Sequence, residues 1–229
     1  MAGDPIILPH GGYKRLLTYQ KSIIILEGTI CYCRRFLRPP DRTIDQMIQA
    51  ARSCKQNIVE GSEAAATSKK TELHLTNVAR ASLEELLEDY RDQLCSHKLA
   101  PWDLSEERTK KVRDYCATRS DWQDYVKIFE SRSLEELCNL QLCQIYQVQH
   151  LLKKQINFLA EDFKKHGGLS ERMSTARYGE RGSGWSEKIY DYLHAAESSN
   201  DLANRVREIL QQVEKARALS ARHHGWAKD

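Results

Sequence analysis

The sequence contains few of the residues that interrupt helices, with only five prolines and eleven glycines among 229 residues. It also lacks the runs of alternating β-branched residues that are typical of strands. Hydrophobic residues make up 41% of the chain, which is enough apolar surface for a substantial core. These features together predict an all-α globular protein.

Long apolar runs are also missing. The longest apolar runs of the sequence, such as Ile23–Leu26, fall far below the roughly 20 residues that a membrane-spanning helix needs. The amino terminus does not show the basic and then apolar order of a signal peptide. We therefore expect a cytoplasmic protein that has no membrane partner.

Cysteine is present without the spacing of a metal site. The seven cysteines are Cys31, Cys33, Cys54, Cys95, Cys116, Cys138 and Cys143. They form no Cys-x-x-Cys pair, and most fall on apolar helix faces, where a thiol behaves as a small hydrophobic group. The pattern favours reduced, buried thiols over a zinc site, and it predicts neither a metal nor a cofactor.

Net charge is low, at +3, so the chain has no basic tail of the kind that marks many nucleic-acid-binding proteins. Its positive charge is nevertheless clustered. The candidate nucleic-acid-binding residues are Arg34, Arg35, Arg38, Arg42, Lys69 and Lys70. The sequence leaves two interpretations of the arginines open: contact with phosphates, or a solvated face that pairs with Asp41, Asp45 or a neighbouring helix.

Two long amphipathic helices bracket the middle of the chain. The apolar seam of the first is Leu16, Tyr19, Ile23, Leu26, Ile30, Cys33 and Leu37, which are spaced alternately by three and four residues. Pro39-Pro40 is expected to end this helix. The second is predicted to begin at Ser133, where a Ser and a Glu three residues later form a capping box, and to end at Gly167-Gly168.

Two further amphipathic runs lie between these helices, from Ile44 and from Leu73 to Leu94. Gly61 is predicted to end the first run in a left-handed conformation, and Thr67 or Ser68 to cap the second. A shorter helix is expected from Ser105 to about Thr118, and residues 119–132 are predicted to be helical as well. The four longest helices suggest an antiparallel four-helix bundle.

The domain organisation follows from these elements. We expect an irregular lead-in at residues 1–13, a bundle with a basic suffix at 14–181, a linker at 182–184 and an added C-terminal helical hairpin at 185–229. The Gly-Ser-Gly at 182–184 is consistent with either a natural or an engineered joint. Two helices as small as those of the last segment cannot bury their apolar faces alone, so they must dock on the main body or on another chain.

Three blocks of the central region carry a resemblance to a known family. They are Gln56-Asn57-Ile58-Val59-Glu60-Gly61, Ser68-Lys69-Lys70 and Asn77-Val78-Ala79-Arg80-Ala81-Ser82-Leu83-Glu84-Glu85-Leu86. These blocks resemble the signature of the four-helix-bundle proteins first met as ribosomal-RNA intervening-sequence proteins. His10–Tyr13 and His166–Met173 further resemble the suffix-domain subgroup of that family. Residues 185–229 lie outside the resemblance.

The resemblance implies a class of behaviour. Related accessory variability determinant proteins of diversity-generating retroelements form ring-like oligomers with a basic surface, and they bind nucleic acid and a reverse transcriptase. It therefore implies a bacterial accessory protein that is a homo-oligomer, binds RNA or DNA, and works beside a reverse transcriptase or another protein client.

No enzyme signature appears in the sequence. A His-Glu-x-x-His motif, a glycine-rich phosphate loop and a Gly-x-Ser-x-Gly motif are all missing. Glu60 with Glu63 are candidates for acid–base catalysis, and His194 with His223 and His224 for metal binding, but a structural role for the first pair and a solvated tail for the histidines explain these residues better. We therefore expect a non-enzymatic protein that contacts phosphates without reading bases. The alternative is a protein-interaction scaffold that uses the C-terminal helices and binds no nucleic acid.

Overall fold

A computed structural model describes residues 12–169 together with residues 171, 173, 174 and 177. The chain divides into two compact units, Met1–Arg172 and Met173–Asp229, and the description below concerns the first. The helices are α1 Leu17–Phe36, α2 Arg42–Ala64, α3 Lys69–Ser96, α4 Glu107–Thr118, α5 Val126–Ser131 and α6 Leu134–His166. Single 3₁₀ turns occupy Tyr13–Arg15 and Trp122–Tyr125.

The described residues contain no strand, which confirms the all-α prediction. None of the helices in the described ranges is long and apolar enough to cross a membrane. The predicted linker at 182–184 and the helical pair at 185–229 lie outside the described residues, as does most of the lead-in.

Side-chain caps begin three of the six described helices, α2 at Asp41, α3 at Ser68 and α6 at Ser133. The hydroxyl of Ser133 accepts a hydrogen bond from the backbone N–H of Glu136, and the Glu136 carboxylate accepts one from the backbone N–H of Ser133. This is the predicted capping box. The Ser68 hydroxyl caps α3 in the same way through the N–H of Thr71. Gly167, with φ of +64°, ends α6 in a conformation that glycine adopts without strain.

The prediction that Gly61 ends a helix is wrong. Helix α2 continues through Gly61 to Ala64, and Gly61 is buried against α3. A Cβ atom added at Gly61 would lie 3.5 Å from the carbonyl oxygen of Glu72. One internal glycine costs a helix only about 1 kcal/mol, and α2 is held across this position by its packing on α3. Gly61 therefore provides close helix packing instead of a turn.

The four long helices contact one another in a closed order. Helix α1 packs on α2 and α6, and α3 packs on the same two helices. Their buried side chains form one core, in which the rings of Tyr32 and Tyr90 meet edge to face at 5.3 Å between centroids. The Tyr90 hydroxyl donates to the buried Thr29 hydroxyl at 3.0 Å, so this polar pair is satisfied inside the core.

The apolar seam of α1 is only part of its buried face, since the sequence also places a flanking stripe of Leu17, Ile24 and Cys31 beside it, of which Ile24 and Cys31 are buried. Ile30, a seam residue, is 37% exposed, whereas Ile25 and Tyr32 off the seam are fully buried. An added Cβ at Gly28 would fall 1.6 Å from Nε2 of Gln141, so α6 approaches α1 as closely as a glycine allows. Helix α1 is enclosed by α2, α6 and the 122–131 segment, which confirms the expectation that it contacts neighbours on more than one side.

The cysteine prediction is confirmed for most of the thiols. All seven are free, and Cys31, Cys33, Cys54, Cys116 and Cys138 are buried. Burial raises the pKa of Cys138 to about 12, because the thiolate would lose its hydration. These thiols therefore act as small core side chains.

Candidate nucleic-acid interface and the cavity beside α4

Three of the predicted basic residues lie together at one end of the helices. Arg34 is in the last turn of α1, Arg38 is in the connection to α2, and Arg42 is the first residue of α2. All three are exposed, and none forms an ion pair with another described residue. We call Arg34, Arg38 and Arg42 the arginine cluster.

Arg35 has a structural role instead. Its guanidinium donates to the backbone carbonyl of Phe129 and, at 2.8 Å, to that of Arg132, at the end of α5. The same group lies over the ring of Phe36, 4.6 Å from its centroid. Arg35 thus donates to carbonyls at the C-terminus of α5, where the last carbonyls have no partner within the helix. These hydrogen bonds compete with phosphate contact by the same guanidinium.

The two lysines lie far from the arginine cluster. Helix α2 has 23 residues and separates Arg42 from the start of α3 by about 35 Å at 1.5 Å per residue. Lys69 is held between Glu72 at 3.2 Å and Asp162 at 3.4 Å, with 13% of its side chain exposed. Lys70 is exposed. The fold therefore does not bring the six predicted residues into one surface.

An aromatic residue that the sequence pattern did not reveal lies beside the arginine cluster. Arg34 and Trp122 line one small cleft of about 120 Å³ together with Glu27 and Glu130. Trp122 is 36% exposed. The only signal in the sequence was a tryptophan among polar neighbours, 88 positions away from Arg34, so only the packing of the 122–131 segment on α1 reveals the pairing.

A second feature is an open-sided cavity of about 790 Å³ between the start of α1, the 101–104 segment, α4 and α6. We call it the α4 cavity. Most of its wall is apolar, and the described residues that line it include Lys21, Arg113 and His150 but no Asp or Glu. The sequence analysis did not identify this cavity, since its lining residues come from four separate segments.

Lys21 holds α4 against α1. It is 2% exposed, and its ammonium donates to the carbonyl of Cys116, to that of Arg119 at 3.3 Å and to Oε1 of Gln147 at 3.2 Å. Burial lowers the pKa of Lys21, opposed by a smaller interaction with Cys116. A cation among carbonyls at a helix C-terminus is a stabilising arrangement.

The 101–104 segment is fixed to α6 by several contacts. The backbone N–H of Trp102 donates to Oδ1 of Asn139 at 2.8 Å, and its indole N–H donates to Glu135 at 2.6 Å. The guanidinium of Arg108 lies 4.4 Å from the Trp102 ring centroid and 3.2 Å from Glu135. One wall of the α4 cavity is therefore a positioned element.

The groups weighed for catalysis or metal binding do not form a site in the described residues. Glu60 and Glu63 are exposed on α2, and neither carboxylate forms a hydrogen bond within the described part of the chain. The expected hydrogen bonding of the Glu60 side chain at a hairpin is therefore wrong. In residues 12–169 no group of three or more His, Cys, Asp or Glu side chains is placed to hold a metal. His194, His223 and His224 lie outside the described residues.

Comparisons with protein-family models, with curated proteins and with solved structures found no match for this chain.

Proposed function

We propose that the protein is a non-enzymatic, oligomeric accessory protein that binds RNA or DNA through phosphates without reading bases. The observation that carries the proposal is the arginine cluster: three exposed guanidinium groups where α1 ends and α2 begins, without acidic ion-pair partners among the described residues. Arginine forks match phosphate oxygens in geometry and charge. A reverse transcriptase or another nucleic-acid enzyme is the protein client that the family resemblance suggests.

The architecture that we infer is an antiparallel four-helix bundle of α1, α2, α3 and α6. The closed order of helix contacts supports it, as do the short connections at residues 37–41 and 65–68. Short connections join helices that run in opposite directions. In this arrangement the arginine cluster occupies one end of the bundle, and Lys69 and Lys70 occupy the other.

Self-association is the second part of the proposal. A single set of three arginines binds weakly, whereas a symmetric ring repeats the set and adds avidity. Large apolar side chains remain on the surface, including Phe158, which is 70% exposed, and Phe163, which is 40% exposed, both on α6. Light scattering across micromolar concentrations is expected to show a multiple of 26.5 kDa, and a monomer at every concentration would contradict the oligomer.

Nucleic-acid binding is tested by titrating single-stranded RNA and duplex DNA at several salt concentrations. Affinity should fall steeply with salt, with a log–log slope of about −0.9 for each phosphate neutralised on duplex DNA. The combined change Arg34→Glu, Arg38→Glu and Arg42→Glu should flatten that slope and weaken binding at least tenfold.

A matched control separates the arginine cluster from overall charge. Lys110, Lys153 and Lys154 are exposed elsewhere, and changing all three to Glu alters the net charge by the same amount. The control variant should retain most of the affinity. Equal losses in both variants, or no binding of the unaltered protein at about 50 mM salt, would refute the assignment.

The scaffold alternative rests on residues 185–229, which lie outside the described residues. Its test is deletion of 182–229 followed by measurement of oligomeric state and nucleic-acid affinity. Loss of a protein partner with unchanged nucleic-acid affinity favours a separate docking role for that segment.

A further inference from the structure

The α4 cavity goes beyond nucleic-acid binding and has the properties of a small-molecule site. Its volume of about 790 Å³ falls within the roughly 300–1,000 Å³ of known ligand pockets. Leu17, Leu142 and Leu151 contribute apolar wall, and a few polar groups converge on the same space. This mixture of an apolar wall and a few fixed polar groups is typical of sites that bind amphipathic molecules.

The charge of the wall selects one sign of ligand. The basic side chains that line the cavity are Lys21, Arg113 and His150. Among the described residues, no carboxylate lines it. Lys21 is already bonded to three acceptors, whereas Arg113 is exposed on α4 and forms no ion pair with a described residue. Arg113 is therefore the cation available to a ligand.

The charge of Arg113 acts on Cys143 in the α6 wall of the cavity. Burial raises the pKa of the Cys143 thiol to about 11, and the charge of Arg113 acts in the opposite direction. Cys143 lies in the α6 wall of the cavity. The guanidinium charge is thus felt at the cavity surface.

A buried polar group without a partner provides a second observation. Thr109 lines the cavity, is 3% exposed, and its hydroxyl makes no hydrogen bond in the described structure. A buried hydroxyl without a partner costs free energy, which a ligand that supplies an acceptor would recover. Thr109 and Arg113 are four residues apart, so they lie on the same side of α4.

We propose that the α4 cavity binds an amphipathic organic carboxylate, with the carboxylate held by Arg113 and Thr109 and the apolar body packed among Leu17, Leu142 and Leu151. A planar carboxylate accepts two hydrogen bonds from a guanidinium fork and a further one from a hydroxyl. The apolar body buries its surface against α6. This site is separate from the arginine cluster, and its occupancy is measured without nucleic acid.

The test is isothermal titration of the full chain with decanoate, with decanol and decyltrimethylammonium as neutral and cationic ligands of the same chain length. Decanoate should bind with a Kd of about 10–100 µM, as expected for a ligand of its size. Decanol should bind about tenfold more weakly, and the cationic ligand should not bind measurably. Equal binding of decanol and decanoate would overturn the selection of an anion.

Three substitutions locate the site. Arg113→Gln should weaken decanoate about tenfold, whereas Lys110→Gln, which removes one charge from the same helix outside the cavity, should leave the Kd unchanged. Ala117→Trp places a large ring at an exposed position in the cavity wall and should abolish binding while circular dichroism stays unchanged. Decanoate binding that survives Ala117→Trp would place the ligand elsewhere and overturn the proposal.

Thr109→Val distinguishes a ligand contact from a structural role. The two side chains have the same shape, and the hydroxyl has no partner in the unligated protein, so stability without ligand should not fall. Decanoate affinity should fall several-fold. A loss of stability with unchanged affinity would contradict the role assigned to Thr109.

Discussion

The two sides of the α1–α6 pair are packed differently. On one side α2 and α3, with 23 and 28 residues, cover the pair with large apolar side chains that include Leu83, Leu86 and Leu87, all buried. On the other side α4 has only 12 residues, is fixed by Lys21 and leaves the α4 cavity open. The first side contributes stability, whereas the second leaves the buried Thr109 hydroxyl without a partner and Arg113 exposed.

The difference in packing predicts unequal costs for the same substitution. Leu86 is fully buried in α3, so Leu86→Ala should lower the free energy of unfolding by about 2–5 kcal/mol through lost burial and a new cavity. Leu104 is 69% exposed beside the α4 cavity, and Leu104→Ala should change stability by less than about 0.5 kcal/mol. Denaturant titration measures both, and comparable costs would show that the two sides are equally packed.

Two buried groups, Cys138 in the shared core and Lys21 beside α4, should respond to alkaline pH with opposite signs. Burial raises the pKa of Cys138, in the shared core, from 9.0 to about 12, so the folded state retains a proton that the unfolded chain releases. Its contribution to stability is complete below pH 9 and is lost as pH rises towards 12, and the loss by pH 10 is on the order of 1 kcal/mol. The pKa of Lys21 is lowered by burial, so the unfolded chain binds the proton more tightly, and this group adds stability as pH rises towards 10.5.

The measurement is the free energy of unfolding at pH 8 and pH 10 under reducing conditions. Stability should fall over this interval, because several buried thiols with raised pKa values, among them Cys33, Cys54 and Cys116, oppose Lys21, the one buried lysine of the described residues. Cys138→Ala should make the fall shallower, and Lys21→Met should make it steeper. Cys95→Ala, which removes an exposed thiol, controls for the loss of a cysteine. A stability that rises between pH 8 and pH 10 would contradict the assignment of signs.

The helix boundaries were largely predictable because they depend on residues close together in the chain. Ser133 and Glu136 form a capping box within four consecutive residues, and Gly167 supplies a positive φ by itself. Gly61 is the exception. Its sequence neighbourhood suggests a helix end, but its contact with Glu72 on α3 shows that close helix packing decides its role.

The candidate sites were less predictable, since spacing along a helix does not reveal what lies opposite. Arg34, Arg38 and Arg42 share an exposed end as their spacing indicated, and whether they bind phosphate stays a prediction. Arg35 belongs to the same run but donates to Phe129, a residue 94 positions away. Lys69 likewise pairs with Asp162 at the far end of α6.

The sequence by itself determined the all-α class, the capped ends of α3 and α6, and the burial of most cysteines, because short-range hydrogen bonding and helical periodicity encode them. Only the tertiary structure decided which basic side chains are engaged within the protein, and that α4 leaves a cavity lined by Thr109 and Arg113. The physical reason is that both outcomes depend on how separate helices pack, and packing is set by the shapes of side chains that are distant in the chain.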